Sequence, residues 1–466
     1  MAPRKSSRRE FIKLAAASTV AASVTPTLLG TSRAEVLRAR IHKPVAPSDT
    51  LRIATIGMGI IGFIDTDTAL RVPGTELVAA ADCYDGRLAR TKEVYGSQVD
   101  TTRDYREILA RSDVDAVLVC TPDHWHARIA TEALEAGKGV YCEKPMVHDI
   151  EEGPGMIETQ QRTGKALQVG SQYASSILYD KARKLYEEGG IGRVNMVEAT
   201  MNRNSAIGAW QYSIPPDAST QTIDWDTFQG DAPKRPFDAK RFFQWRGYWD
   251  YGTGMAGDLF VHLFTGIHHV LQSRGPTSVV SMGGLRFWAD GRDCPDVLLG
   301  LFNYPETDNH GSFTLSLQCN FVDGSGGGSV FRFIGDEGAM TINGSSLSIE
   351  TSPRRRPPDQ AVFEGYNSVR TFSEAQQNAF IEAYREQHPV PDPAETSATH
   401  EYRVPQGYDD RLDHFTYFFD SVRNGKPVYE DGVFGYRAAA PSLLCNLSYI
   451  QNGILHWDPE AMRLKA

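Results

Sequence analysis

The sequence predicts the α/β fold class: an N-terminal Rossmann-type parallel sheet covered by helices, followed by an α+β domain with a large, mainly antiparallel sheet. From residue 51 to about residue 170, short apolar runs alternate with helical patterns, as in parallel strands joined by helical crossovers. Between residues 277 and 350, apolar residues instead follow a period of two, as in antiparallel strands with one covered face.

The elements of the first domain follow in order from these runs. Strands are expected at 51–56, 76–81, 115–120, 139–142 and 166–170, with a weaker one near 99–101, and helices begin near 60, 86, 103, 125 and 151. Because crossovers between parallel strands are right-handed, the C-terminal ends of the strands share one edge of the sheet. Ligands of such sheets bind along that edge.

The second domain is predicted over residues 171–430. Its expected elements are a helix at 176–189, a strand near 193–201, a helix at 257–272, strands at 277–288, 296–303, 312–321, 329–335 and 339–350, and a helix at 409–424. An irregular stretch at 203–250 is rich in aromatic residues, whose rings offer stacking faces for pyranose sugars. Residues 351–407 are predicted to form a surface insertion, and residues 431–466 are expected to pack back on the first domain.

Length and charge limit the function classes. A chain of 466 residues is too long for one ordinary core, so two domains are expected. The net charge of −10 argues against nucleic acids and anionic membrane surfaces as partners. The chain has no uninterrupted apolar run of about 18 residues, so no membrane span is expected.

The N-terminus has the pattern of an export signal. Residues 7–13 read SRREFIK and precede a mildly apolar run, 14–29, and a cleavage-like site at Ser32-Arg33-Ala34. This resembles a twin-arginine signal over residues 1–34, followed by a linker at 35–50; the alternative is a basic tail. The expected location is therefore periplasmic or secreted.

A glycine-rich turn follows the first strand, in the segment LRIATIGMGIIG at residues 51–62. In a G-x-G-x-x-G turn, Gly57 permits the tight bend, Gly59 admits a pyrophosphate, and Gly62 lets the helix pack closely. The residues expected to contact a dinucleotide here are Gly57, Met58, Gly59, Ile60, Ile61 and Gly62.

Asp82 ends the second strand, 20 residues after Gly62. A carboxylate at this position accepts hydrogen bonds from ribose hydroxyls and repels a 2′-phosphate, so NAD is preferred over NADP. Arg87, five residues further on, could pair with such a phosphate.

The next strand end carries Thr121, Pro122 and His126. We expect Thr121 and Pro122 to form a turn against the adenosine or pyrophosphate side, and His126 to line the nicotinamide pocket. His124 and His126 are two positions apart and would normally face apart, so no metal site is expected.

Glu143, Lys144 and Pro145 follow the fifth strand. A lysine at this edge can reach a nicotinamide ring and a substrate hydroxyl together, and Glu143 can hold the lysine or a ribose. The alternative is a solvated Glu–Lys pair at a strand end.

Asp258 and His262 lie four residues apart on one predicted helix. This spacing lets a carboxylate orient an imidazole and raise its basicity. The alternative is a helix N-cap together with a core histidine.

Taken together, these motifs resemble the Gfo/Idh/MocA family (glucose–fructose oxidoreductase, inositol dehydrogenase, MocA), and the E-K-P tripeptide is the most specific of them. The resemblance implies that Lys144, Asp258 and His262 form a catalytic trio, and that Trp245 and Arg246 approach the cofactor. It also implies that the antiparallel sheet builds the interface of a homodimer or homotetramer.

The activity that this resemblance implies is an NAD-dependent transfer of hydride from a secondary hydroxyl of a sugar, glycoside or cyclitol to tightly bound nicotinamide. One alternative is a redox-neutral, NAD-dependent glycoside hydrolase of the same family. A less favoured alternative is a non-catalytic sugar-binding protein, because a binder needs no acid–base groups beside a nicotinamide.

Overall fold

The computed structural model describes residue 46 and residues 49–351, 359–389 and 399–465. The export signal predicted for 1–34, and most of the linker predicted for 35–50, lie outside the described residues.

The first sheet has six parallel strands in the order β3-β2-β1-β4-β5-β6. Its strands are β1 (Leu51–Ile56), β2 (Thr75–Ala81), β3 (Asp100–Thr102), β4 (Ala116–Val119), β5 (Gly139–Glu143) and β6 (Leu167–Gly170). The helices between them are α1 (Ile60–Leu70), α2 (Asp85–Tyr95), α3 (Tyr105–Leu109), α4 (His126–Glu135) and α5 (Glu152–Thr163). Every residue of β4 is buried because helices cover both faces of the sheet, which explains why its sequence is apolar throughout.

The second domain is built on a ten-stranded sheet in the order β14-β13-β12-β11-β7-β10-β9-β8-β15-β16. Its strands are β7 (Val194–Asn202), β8 (Ser278–Gly284), β9 (Val297–Tyr304), β10 (Phe313–Asn320), β11 (Gly328–Gly335), β12 (Gly338–Asn343), β13 (Ser346–Thr351), β14 (Thr399–Arg403), β15 (Leu455–Asp458) and β16 (Arg463–Leu464). β7 and β10 pair in parallel, and the other neighbours pair antiparallel. The predicted fold class is therefore confirmed.

Helices cover one face of this sheet. The helices of the second domain are α6 (Ile177–Glu187), α7 (Trp225–Gln229), α8 (Ala239–Phe243), α9 (Val261–Leu271), α10 (Asp359–Phe363), α11 (Glu374–Gln387), α12 (Asp410–Asn424) and α13 (Gly432–Gln451). Along β9, Leu298 and Phe302 are buried, whereas Leu299 and Leu301 on the opposite face are 47% and 50% exposed. One face of the sheet is thus open and partly apolar.

The structure differs from the sequence-based expectation at residues 339–350, in the 351–407 insertion and at the start of the helix predicted for 257–272. Residues 339–350 form a hairpin, β12 and β13, because Gly344 adopts a left-handed φ of 56° between them. The insertion predicted for 351–407 contains α10 and α11, and its last strand, β14, pairs with β13. The helix predicted for 257–272 begins as a π-helical turn, Ala256–Phe260, before α9.

The C-terminal segment contacts both domains. In α13, the hydroxyl of Tyr436 donates to the backbone oxygen of Ile150 in the first domain, at 2.8 Å. Further along the same helix, Ser448 Oγ accepts from the backbone N–H of Ser281 in β8, at 2.9 Å. β15 and β16 then extend the ten-stranded sheet, so the strands of 431–466 lie on the second domain rather than on the first.

No helix within the described part of the chain is both long enough and apolar enough to cross a membrane.

Candidate active site

The three glycines of the turn after β1 are constrained by different neighbours. Gly57 has a φ of 95°, and a Cβ there would lie 2.6 Å from the backbone oxygen of Cys120. A Cβ on Gly62 would lie 2.0 Å from the backbone oxygen of Gly57, so α1 could not pack against the turn. A Cβ on Gly59 would meet nothing closer than the guanidinium of Arg87, at 3.9 Å. The fold itself does not require glycine at position 59, which leaves ligand approach as the reason for it.

Asp82 joins the end of β2 to this turn. Its Oδ2 accepts from the backbone N–H of Met58 at 2.8 Å, and its Oδ1 accepts from that of Tyr84 at 2.9 Å. Nη1 of Arg87 lies 3.4 Å from Oδ2. The carboxylate is therefore fixed beside the glycine turn, where a ribose would be recognised.

A cleft of about 860 Å³ runs along this edge of the sheet. Nine of the residues predicted to bind the cofactor line it: Gly57, Gly59, Ile60, Ile61, Asp82, Thr121, Pro122, Trp245 and Arg246. Met58 and Gly62 shape the turn from behind, through the contacts given above. The cleft also contains residues that the sequence-based prediction missed, among them Arg103, Tyr105, Phe228, Phe242 and Phe243.

The aromatic stretch forms a wall of this cleft. Its buried rings pack in a cluster with Tyr84, and the guanidinium carbon of Arg87 lies 5.4 Å and 5.3 Å from the ring centres of Phe242 and Phe243. Phe228, Phe242 and Phe243 of this cluster line the cleft beside the glycine turn, and the expectation that the stretch offers stacking faces for sugars stays a prediction. The high density of aromatic residues in the sequence indicated a binding surface, but it did not indicate which ligand these rings contact.

Residues 217–229, which we call the clasp, tie this wall to the first domain. The hydroxyl of Tyr84 donates to Asp217 Oδ1 at 2.5 Å, and the backbone N–H of Asp224 donates to the oxygen of Cys83 at 2.8 Å. Further along, the indole N–H of Trp125 donates to the backbone oxygen of Phe228 at 2.9 Å. The clasp thus bridges the strand ends of β2 and β4 across the cleft.

His126 lies behind the cleft rather than in its wall. Its side chain is buried, with Nδ1 2.7 Å from the oxygen of Pro145 and Nε2 2.8 Å from the oxygen of Thr121. The expected place for His126 in the nicotinamide pocket is therefore wrong: the imidazole braces the two loops that follow β4 and β5. His124 likewise contacts backbone oxygens, and no group of His, Cys, Asp and Glu side chains suited to a metal occurs among the described residues.

Lys144 and Asp258 form a buried ion pair between the two domains. Nζ of Lys144 lies 2.8 Å from Oδ1 of Asp258, and their side chains are 11% and 8% exposed. Nε of Arg246 donates to the same carboxylate oxygen at 3.1 Å. Burial alone would raise the pKa of Asp258, but the charges of Lys144 and Arg246 outweigh it and hold that pKa well below its usual range.

His262 does not use Asp258 as the sequence spacing suggested. The carboxylate is occupied by the two cations, and Nδ1 of His262 is buried with no hydrogen-bond partner among the described residues. Asp258 lies in the π-helical turn, whose wider spacing alters how positions four apart face each other. Burial and the charge of Lys144 lower the pKa of His262 to about 3, so the ring is neutral near pH 7.

Glu143 lies beneath this pair. The residue is 4% exposed, Oε2 accepts from the backbone N–H of Lys144 at 3.3 Å, and no donor among the described residues reaches the buried Oε1. It does not line the cleft, so the expectation that it holds a ribose does not fit the structure.

These features fit a bound dinucleotide. One cleft contains the open space at Gly59, the fixed carboxylate of Asp82 and the buried hydroxyl of Thr121, which has no hydrogen-bond partner within the described part of the chain. Arg246 lines that cleft and also contacts Asp258, so the cleft leads directly to the Lys144–Asp258 pair.

Comparison with known proteins agrees with the geometry. The sequence model of the oxidoreductase family with an NAD-binding Rossmann fold, GFO_IDH_MocA, matches residues 51–171, and the model of its C-terminal alpha/beta domain matches residues 182–282. The chain belongs to the Gfo/Idh/MocA family. In this Gfo/Idh/MocA protein, the first match ends just after β6 and so covers the whole parallel sheet.

The sequence alignments with curated relatives cover only part of each relative's length. A glycosyl hydrolase family 109 protein of Shewanella baltica is 34% identical over 172 residues, which are 34% of this chain and 38% of that protein. Inositol 2-dehydrogenase 3 of Saccharopolyspora erythraea is 32% identical over 182 residues, which are 39% of this chain and 53% of the relative. The chain thus spans about half or less of the curated relatives that it matches.

Among solved structures, levoglucosan dehydrogenase in complex with NADH superposes with a TM-score of 0.62 at 17% identity. The superposition covers 87% of this chain and 99% of that one, which shows that the Gfo/Idh/MocA protein shares its two-domain fold.

Proposed function

We propose that the protein is an NAD-dependent oxidoreductase that removes a hydride from a secondary hydroxyl of a sugar, glycoside or cyclitol. The observation that carries this proposal is the Lys144–Asp258 pair beside the cleft residue Arg246. The names of the inositol and levoglucosan dehydrogenases among its relatives support the substrate class.

The side chains at the pair have separate parts in this reaction. When bound, the nicotinamide supplies the hydride acceptor. Lys144, held by Asp258, donates a hydrogen bond to the reacting oxygen and stabilises its developing negative charge. We assign His262 as the acceptor of the hydroxyl proton because its ring is neutral; its pKa of about 3 makes it a weak base near pH 7, so it would pass the proton on to solvent readily.

Single-turnover absorbance of the reduced nicotinamide tests this assignment. Myo-inositol, levoglucosan and methyl glucosides are suitable first substrates, with Lys144→Ala as the comparison. An unchanged rate of nicotinamide reduction in Lys144→Ala would remove Lys144 from the mechanism.

The preference for NAD rests on Asp82, which lines the cleft and whose carboxylate would repel a 2′-phosphate there. Asp82→Ser removes that charge and leaves Arg87 to attract the phosphate. We expect the ratio of NADP to NAD affinity to rise about tenfold, which corresponds to ~1.4 kcal/mol. Isothermal titration with both nucleotides measures the ratio.

Tight retention of the nucleotide is supported by the clasp, which crosses the cleft between two strand ends. A protein purified without added nucleotide should therefore release NAD when it is denatured. A retained cofactor must be converted from NADH back to NAD while it stays bound. A second substrate can accept the hydride, or a later step of the same reaction can return it to the sugar.

Redox-neutral glycoside cleavage is the second candidate, favoured by the 34% identity to glycosyl hydrolase family 109 proteins. In that case, the hydride removed from the sugar returns to it after the glycosidic bond is broken. Release of phenol from an aryl glycoside without net NADH would identify this activity. Net NADH without phenol would identify the dehydrogenase instead. A non-catalytic sugar-binding role is less favoured, because the buried Lys144–Asp258 pair serves no purpose in simple binding.

The open face of the large sheet supports a homodimer or homotetramer. Four apolar side chains project from β8 and β9 on this face: Val280, Met282, Leu299 and Leu301, of which Met282 is 76% exposed. An apolar patch of this kind marks an interface more often than a free surface. Light scattering of the wild type and of Leu301→Glu tests this, since the charge should dissociate the assembly.

Export by the twin-arginine route is supported by Arg8 and Arg9, and it would place the protein in the periplasm or outside the cell. Changing both residues to lysine should retain the chain in the cytoplasm. Cell fractionation of the two forms provides the measurement.

A further inference from the structure

A second buried group of charges lies under the catalytic lysine. Asp65, on α1, is fully buried, and its Oδ1 lies 2.6 Å from Nη1 of Arg411 on α12. The thiol of Cys120 is 3.6 Å from Oδ2 of the same carboxylate. Asp65 thus has one cation as its partner and is closed off from solvent.

Glu143 shares this interior with Asp65. No donor among the described residues reaches its buried Oε1, and its carboxyl group shares a hydrogen bond with that of Asp65, which requires a proton on one of the two acids. A Cβ on Gly170 would lie 2.5 Å from Oε1, so the β6 backbone also closes off this side. Of the two cations that act on Glu143, Arg411 is already paired with Asp65, and the ammonium group of Lys144 is directed to Asp258.

Buried carboxyl groups in such an arrangement do not both ionise. Burial, and then the charge of Asp65, raise the pKa of Glu143 to about 8. The charges that shift this pKa belong to residues on the elements packed around Glu143: Asp65, Lys144, Arg411 and His126. Four further titratable groups lie close enough to interact with it: the thiols of Cys120 and Cys142, the phenol of Tyr141 and the carboxyl group of Glu430.

We propose that Glu143 works as an uncharged acid that positions the backbone of Lys144 and leaves Asp258 as the one ionised partner of the lysine among the described residues. Its Oε2 holds the Lys144 N–H at 3.3 Å, while Nζ points to Asp258 on the other domain. An ionised Glu143 would add a second carboxylate beside the lysine and draw the positive charge away from the reacting oxygen. Glu143 is thus a positioning residue, and this role rests on the function proposed above.

Infrared spectroscopy of the intact protein tests the protonation state without turnover. At pH 7, the difference spectrum between wild type and Glu143→Gln should contain the stretching band of one protonated carboxyl. Glu430, whose pKa burial also raises, contributes equally to both spectra and cancels. Absence of that band in the difference spectrum, in a folded variant, overturns the proposal.

Kinetics supply the second measurement. Glu143→Gln keeps an uncharged acceptor for the Lys144 N–H, whereas Glu143→Ala loses it, so Gln should turn over about tenfold faster than Ala. In the wild type, kcat should fall as pH rises through about 8, where Glu143 ionises, and this fall should be missing in Glu143→Gln. Equal rates for Gln and Ala, or the same alkaline fall in Glu143→Gln, contradict the proposal.

Asp65→Asn tests whether the charge of Asp65 is what raises the pKa of Glu143. Removing the charge of Asp65 lowers the pKa of Glu143, so the alkaline fall should move to lower pH. An unmoved profile means that Asp65 does not act on Glu143. Failure of the proposed function is recognised separately, because the wild type itself then reduces no NAD with any of the sugars, whatever the infrared band shows.

Discussion

Nζ of Lys144 contacts Asp258 twice, at 2.8 Å from the carboxylate and at 2.9 Å from the backbone oxygen of the same residue. Lys144 follows the parallel sheet, and Asp258 begins the helix that covers the larger sheet. A two-point contact fixes the direction of the ammonium group better than one ion pair does, and it does so where the two domains meet. The position of the lysine therefore depends on both domains.

Removal of this ammonium group should slow chemistry without loss of the nucleotide. Lys144→Met keeps the length of the side chain and leaves Asp258 paired with Arg246. We expect single-turnover hydride transfer to slow by a factor of about 10² to 10⁴, the range for a group that stabilises transition-state charge. NADH fluorescence titration should give an affinity close to that of wild type. A large loss of NADH affinity would instead assign Lys144 to cofactor binding.

Alanine substitutions in the glycine turn should separate folding from binding. In Gly59→Ala, the added methyl group meets no protein atom closer than 3.9 Å, so thermal stability should be unchanged while NADH affinity falls. In Gly62→Ala, the methyl group would lie 2.0 Å from a backbone oxygen, so the melting temperature itself should fall. Unaltered NADH binding by a folded Gly59→Ala protein would contradict the placement of the pyrophosphate.

Loosening the clasp should speed release of the nucleotide. Tyr84→Phe removes the hydrogen bond to Asp217 and keeps the ring packed edge-on against Phe243. The loss of one hydrogen bond, ~1 kcal/mol, should raise the NADH dissociation rate about fivefold in stopped-flow displacement. Tyr95→Phe is the matched control, because Tyr95 donates a similar bond to Asp67 on the outer side of the first domain. Equal release rates in the two variants would show that the clasp does not retain NADH.

Stability should decrease in mild acid because of two histidines, His268 in the core and His124 beside the clasp. Burial lowers the pKa of His124 to about 4 and that of His268 to about 3. In the unfolded chain both titrate near 6.5, so the unfolded state binds more protons between these values. Their contribution to stability is present above about pH 6.5 and is lost as the pH falls through about 4. Denaturant melts from pH 7.5 to 4.5 measure this, and His268→Gln should flatten the dependence.

The fold could be predicted from sequence because its strongest signals are local. The parallel sheet follows from short apolar runs, and the glycine turn can be recognised because backbone contacts fix Gly57 and Gly62. The hairpin at Gly344 was missed because period-two alternation continues through β12 and β13 on both sides of the turn.

The site was harder to predict because it depends on contacts between distant residues. Lys144 and Asp258 were each recognisable, but their pairing across 114 positions is set by domain packing. The assignment of Asp258 to His262 assumed a regular helix, and the spacing of side chains alone does not reveal a π-helical turn. The role of Arg411 could not be predicted either, since nothing in its local sequence points to Asp65, 346 residues earlier.

The wider turn at Ala256–Phe260 has a consequence for engineering. A Cβ on Gly257 would lie 2.0 Å from Oγ1 of Thr253, so this bend tolerates neither a bulkier residue nor a simple regularisation of the helix. Deleting one residue to restore ordinary helical geometry would rotate the acid away from its ammonium partner and leave both buried and uncompensated. Attempts to transplant this chemistry into another scaffold therefore need the irregular bend as well as the three functional side chains.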